Sequence, residues 1–99
     1  MKKLLLASTA AFALAGTAQA EEIKLGISVG FTGPLESLAP QMAAGAEMAF
    51  KEVSDSGLLL GGSTVSGVRA DSTCIDAAAA TAAVERIVTS DKVKGIVGG

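Results

Sequence analysis

IKLGISVGFTGPLESLAPQMAAGAEMAFKEV, residues 23–53, reads as a short apolar strand, a tight Gly-Pro loop and an amphipathic helix in direct succession. Ile23, Leu25, Ile27, Val29 and Phe31 are branched, aliphatic or aromatic, and Lys24 is the one charge of the run, which suits a strand covered on both faces. Gly33 permits a turn that a side chain resists, and Pro34 drives the residue before it out of the helical region, so the strand stops there. A strand that feeds a helix through such a loop opens a βαβ unit, and ligands of open α/β sheets sit at the carboxyl ends of the strands. The functional loop is therefore expected at Thr32 to Leu38.

Toward the N-terminus, Met1-Lys2-Lys3 is a positive start, Leu4 to Ala15 an uncharged apolar stretch, and Ala18-Gln19-Ala20 the small-x-small pattern read by signal peptidases. Residues 1–20 are thus expected to be a signal peptide cleaved after Ala20, and residues 21–99 the exported, periplasmic part. A transmembrane anchor needs roughly 20 predominantly apolar residues, whereas Ser8, Thr9, Gly16 and Thr17 dilute a shorter run. The chain has 8 basic and 10 acidic residues, and loss of Lys2 and Lys3 moves its net charge from −2 to −4. An acidic surface without a basic cluster argues against nucleic acid or anionic membrane as partner. Histidine, the usual side chain for proton transfer at neutral pH and for metal ligation, is absent. Cys74 is the single cysteine, which leaves open an intermolecular bridge, a free thiol or a partner outside this chain.

Toward the C-terminus, the first helix is expected to begin near Ser37 to Pro40, with Met42, Ala46, Ala49 and Val53 as its apolar stripe and Phe50 beside them. Gly45 next to that stripe implies a close approach of helix to strand. Glu47 and Lys51 are spaced as an i, i+4 ion pair on the solvent side. Ser56-Gly57 stops the helix, and Leu58 to Leu60 are expected to tuck under the sheet edge. Thr64 to Asp71, broken by Gly67 and mixed in polarity, reads as an edge strand. Asp76 caps a second helix from Ala77 to about Ser90, whose apolar face is Ala80, Val84, Ile87 and Val88. Asp91-Lys92 turns the chain into a third strand, Val93 to Val97. The order β-α-β-α-β marks an α/β fold with a parallel sheet.

Several chemical motifs arise and fail. Gly26 to Gly30 matches G-x-S-x-G, but Ser28 lies inside the strand, the turn comes later, and no histidine exists to activate it. Gly26, Gly30 and Gly33 lack dinucleotide-fingerprint spacing, and Asp71, Cys74 and Asp76 fit no common metal site, so cap, turn and disulfide roles account for these three. No cofactor, metal or catalytic residue is expected.

Taken in order, IKLGISVGFTGPLESL at 23–38, GAEMAFKEV at 45–53, GLLLGG at 57–62, RADSTCIDAAAATAAVERIV at 69–88 and DKVKGIVGG at 91–99 resemble the periplasmic substrate-binding proteins of ABC importers, of the leucine/isoleucine/valine-binding type. The resemblance implies a two-lobed protein that holds its ligand in the cleft between lobes. Residues 21–99 would then be the βαβαβ parallel-sheet start of the first lobe of a type I periplasmic binding protein fold, as an N-terminal fragment. It implies a non-catalytic solute-binding role, with a branched-chain amino acid or related small metabolite (amino acid or amide) as ligand and importer membrane subunits as partners. The rival reading is a ligand-sensing domain of a receptor or regulator with the same fold. Carried over by position, Thr32 and Leu38 fall in the ligand-contacting loop, Leu38 where the family often has an aromatic residue packed on the ligand side chain, and Cys74 matches a cysteine bridged to one that would lie beyond Gly99. On this resemblance the chain alone is expected to bind no amino acid tightly. Intact-mass analysis of periplasmic material tests the export reading: an N-terminus at Glu21 is expected, and a retained Met1 in the membrane fraction would contradict it.

Overall fold

In a computed structural model, described here over residues 19–99, the apolar opening run forms strand β1, Glu22–Val29. The strand ends at Val29, just ahead of the expected loop, where the Phe31 N–H turns back to the Val29 carbonyl at 3.0 Å, a three-residue turn. Helix α1 covers Ala39–Ser56, strand β2 Thr64–Asp71, helix α2 Ala77–Thr89 and strand β3 Gly95–Gly98. The three strands are all parallel in the order β2-β1-β3, with Glu22 opposite Thr64, Val29 opposite Asp71, and Leu25 opposite Gly95. The expected βαβαβ arrangement is present, and Thr64–Asp71 is indeed an edge strand.

β1 lies between the other two. Successive side chains of a strand point to opposite faces, and each face of β1 meets one helix. Ile27 and Val29 are buried against Ala39 and Ala43 of α1, with Phe31, Ala46 and Phe50 packed around them. On the other face, a side chain at Gly26 would run into Ile87 of α2, which is fully buried. Ser28 is buried within the strand, as its reading as a packing residue requires.

The buried stripe of α1 is Ala39, Ala43, Ala46 and Phe50, rotated away from the expected Met42, Ala46, Ala49 and Val53. Met42 is 56% and Val53 43% exposed. Small residues win this face because alanines let the helix axis come close to the sheet, leaving only the far end wide enough for Phe50. The close approach expected at Gly45 does not occur, since a Cβ there would have nothing within 4 Å. The room is made instead in β2, where a Cβ on Gly67 would stand 2.8 Å from Ile27 Cδ1 and 3.3 Å from the Phe50 ring. At the end of α1 the Ser54 hydroxyl donates to the Phe50 carbonyl and accepts the Val65 N–H at 2.8 Å, which ties the helix to β2, and Gly57 closes it with φ 71°.

Four further expectations are corrected. Glu47 does not pair with Lys51: it takes Arg69 of β2 through two hydrogen bonds of 2.7 and 2.9 Å, and Lys51 turns to Asp55. The Arg69 fork matches the carboxylate in two places, which the single ammonium of lysine cannot do. Leu58 and Leu60 do not tuck away but are 88% and 66% exposed, because Gly61 and Gly62 fold the turn back on Leu59, whose carbonyl accepts the Gly62 N–H at 2.7 Å. α2 is capped by Asp76, which accepts the Ala79 N–H at 3.0 Å, and its inner face is Ala80, Val84 and Ile87, leaving Val88 largely outside. β3 begins at Gly95 rather than Val93, because the Val93 N–H is still held by the Ile87 carbonyl of α2.

No helix among the described residues is long and apolar enough to cross a membrane. The two glycine sites predict substitutions of opposite sign. Gly45→Ala should raise unfolding free energy by about 0.5–1 kcal/mol in a urea titration, and Gly67→Ala should lower it by about 1–3 kcal/mol through overpacking. The reverse order would mean that α1 faces the sheet through Gly45 after all.

Candidate functional site

Because the strands are parallel, their carboxyl ends lie along one edge of the sheet, and the segments leaving them meet there. The loop after β1, residues 30–38, and the loop after β2, residues 72–76, are joined by the carboxylate of Asp71, the last residue of β2. Asp71 Oδ1 accepts the backbone N–H groups of Thr32 at 3.2 Å and Thr73 at 2.9 Å, and its Oδ2 accepts the Thr32 hydroxyl at 2.6 Å. The Val29 carbonyl adds a bond from the Ser72 N–H at 2.9 Å.

Glycine is required where the two loops touch. A Cβ on Gly33, whose φ is 98°, would stand 2.7 Å from the Thr73 carbonyl oxygen, and one on Gly30 would stand 2.8 Å from Cys74 Sγ. Thr73 and Cys74 themselves adopt φ of 57° and 65°. The Thr73 hydroxyl accepts the Asp76 N–H at 3.0 Å, leading straight into the cap of α2.

Several backbone donors of the first loop and of the start of α1 are committed inside the protein. The N–H groups of Phe31, Thr32, Glu36 and Leu38 go to Val29, Asp71, Gly33 and Leu35, and those of Ala39, Gln41 and Met42 go to the Leu35 and Leu38 carbonyls. Pro34 and Pro40 have no N–H to offer. α1 therefore begins without a side-chain cap, because the preceding turn already satisfies its first donors.

The residues expected to touch a ligand, Thr32 and Leu38, are both exposed on this loop. Leu38 stands at the start of α1 with its side chain 53% exposed, while the Thr32 hydroxyl proton is committed to Asp71. Cys74 is free and exposed, its sulfur 3.7 Å from the Ser72 hydroxyl. It borders an open depression of about 500 Å³ that runs from Ser72 along Ile75, Ala77 and Ala80 to Gly99. Ala20 is exposed ahead of β1, and residues 1–18 of the expected signal segment lie outside the described residues. Asp71 and Asp76 serve as loop tie and helix cap, and no group of three metal-ligating side chains gathers among the described residues.

Sequence reasoning missed two connections. Asp71-Ser72-Thr73 carries a legible signal, since an Asp side chain commonly binds the N–H two residues on. Its bonds to Thr32, 39 residues away, have no local signature. Nor does the guanidinium of Arg69, which grips Glu47 and lies 5.3 Å over the Phe31 ring, fixing the start of the first loop.

The Thr32 hydroxyl, followed by the backbone N–H groups of Thr73, Thr32 and Phe31, stabilises ionised Asp71 and holds its pKa below the ordinary carboxylate value against the opposing effect of partial desolvation. A depressed folded pKa means that the tie contributes fully above the unfolded value and is lost as pH falls through the folded one. Amide resonances of Thr32 and Thr73 should therefore titrate together with a midpoint below that of an unperturbed aspartate; separate midpoints would show that no single carboxylate joins the loops.

A model of the periplasmic binding protein family matches residues 22–99. No curated protein matches the chain.

Proposed function

The chain belongs to the periplasmic binding protein family, and on that premise we propose that it captures a branched-chain amino acid or a closely related metabolite for an ABC importer without transforming it. A small-molecule, solute-binding role in the periplasm goes with the family. The finer reading is supported by one observation above the others: the two loops at the carboxyl edge are joined through Asp71 into one platform, whose first loop carries both Thr32 and Leu38 exposed. A hydroxyl and an exposed aliphatic side chain on one loop suit a ligand with a polar head and a branched apolar tail. On this reading residues 21–99 belong to the first of two lobes, the platform is one wall of the cleft, residues 1–20 are the signal that delivers it, and Cys74 is oxidised to a partner cysteine.

One wall leaves a bound amino acid largely in water. Each hydrogen bond then contributes only about 0.5–1.5 kcal/mol net, against a cost of at least about 4 kcal/mol for immobilising the ligand. Weak binding with half-saturation in the millimolar range is expected for this chain, near −4 kcal/mol. In ¹⁵N-resolved NMR titration, leucine should shift amides of residues 30–38 and 72–76 and leave the far ends of the strands unmoved. Silence at saturating leucine, or shifts centred elsewhere, would refute the amino-acid reading, and a micromolar isotherm would refute the need for a second wall.

A further inference from the structure

Resting on the reading of residues 1–20 as a signal, we infer that the fold closes its own processing site. The Ala20–Glu21 bond is open to a signal peptidase only until the amino end of β1 pairs with β2, and Ser63 is the positioning residue that shuts it. The Glu21 N–H, which belongs to the bond to be cut, donates to Ser63 Oγ at 3.2 Å, and the Glu21 carbonyl accepts the Thr64 N–H at 3.0 Å. Both backbone polar groups of Glu21 are therefore engaged one residue ahead of the strand. A peptidase takes its substrate as an extended chain whose backbone it pairs itself, so it competes with β2 for the same groups. Ser63 is 1% exposed, and its own proton goes to the Leu60 carbonyl at 2.7 Å, which leaves the oxygen only its acceptor role. The Ser63 N–H on the Leu59 carbonyl at 2.8 Å holds that oxygen in place. β3 pairs with β1 only from Leu25 on, after the Lys94 N–H has met the Lys24 carbonyl, so the end at Glu21 is held from the β2 side. Hydrolysis adds water across the amide and leaves a carboxylate on Ala20 and an α-ammonium on Glu21. That ammonium still donates to Ser63 Oγ, now as a charged donor. The finished chain thus keeps the bond that the uncut chain must break to be processed.

The test is the order of addition, with the full 99-residue chain diluted out of urea into detergent micelles that carry a signal peptidase. Peptidase present from the start should cut after Ala20, as read by intact mass. Peptidase added after folding should cut about thirtyfold more slowly, because two hydrogen bonds of ordinary net strength must first open and the rate follows the open population. Inserting six Gly/Ser residues between Ala20 and Glu21 moves the bond outward by about 20 Å of extended chain. It leaves the Glu21–Ser63 contact as it is, and it should restore fast cutting after folding. Ser63→Ala, which deletes the acceptor, should speed the late cut about fivefold relative to tryptic cleavage within α2 in the same sample. A merely structural role for Ser63 would raise both cleavages together, and that result overturns its assignment. Equal rates in the two orders, or an insertion variant that stays slow, overturn the inference and leave the signal reading intact. No cut after Ala20 in either order removes the signal reading and the inference with it.

Discussion

β1 has a hydrogen-bonded neighbour on each edge and a helix on each face, and the rest of the molecule is arranged around that fourfold enclosure. From Gly26 to Gly30 every residue is buried, so this stretch has no place for a charge or an unpaired backbone group. Its two faces differ in how they are filled. The α1 face supplies Ile27 and Val29 as bulk and asks the helix for alanines, whereas the α2 face supplies the bare backbone of Gly26 and asks its helix for Ile87. Bulk on one side is matched by its absence on the other, which is how interiors reach close packing with few large residues.

This complementarity sets the limit of what could be read from the sequence. β1, the order of elements and the cap at Asp76 were legible because each rests on local pattern: an apolar run, alternating periods, an acceptor ahead of an alanine helix. The face of α1 was not, because ranking its residues by hydrophobicity favours Met42 and Val53, while the sheet selects for smallness at Ala39 and Ala43. The same cause misplaced the role of glycine. Gly45 is conspicuous inside a helix, yet the residue that makes room for Phe50 is Gly67, on an edge strand where it reads only as a weak point. Polar pairing went astray for a related reason, since the i, i+4 rule sees Glu47 and Lys51 but has no view of Arg69 in the neighbouring strand.

At the carboxyl edge, the place of the first loop was legible and its wiring to the second was not. Gly33-Pro34 after a buried strand marks the loop, and the parallel sheet brings a second loop beside it. That Asp71 reaches Thr32 depends on register: Val29 is opposite Asp71, so the residues just past the end of β1 fall within reach of the carboxylate that ends β2. A slip of one residue would turn Asp71 to the other face of the sheet. The junction of the two loops is thus a consequence of the β1–β2 pairing.

Holding the loops this way has a conformational cost that the same bonds offset. Thr73 and Cys74 are consecutive non-glycine residues in the left-handed region, each disfavoured by about 1–2 kcal/mol. They persist because Asp71 Oδ1 accepts the Thr73 N–H, the Thr73 hydroxyl accepts the Asp76 N–H, and the Ser72 carbonyl accepts the Cys74 N–H at 2.6 Å. A sharp path at this point carries the chain from β2 into α2 while leaving Cys74 on the surface and the Thr73 carbonyl against Gly33. Such residues concentrate where geometry must be held in advance of binding. With both loops already fixed by one carboxylate, little conformational freedom is left at this edge for a binding event to remove.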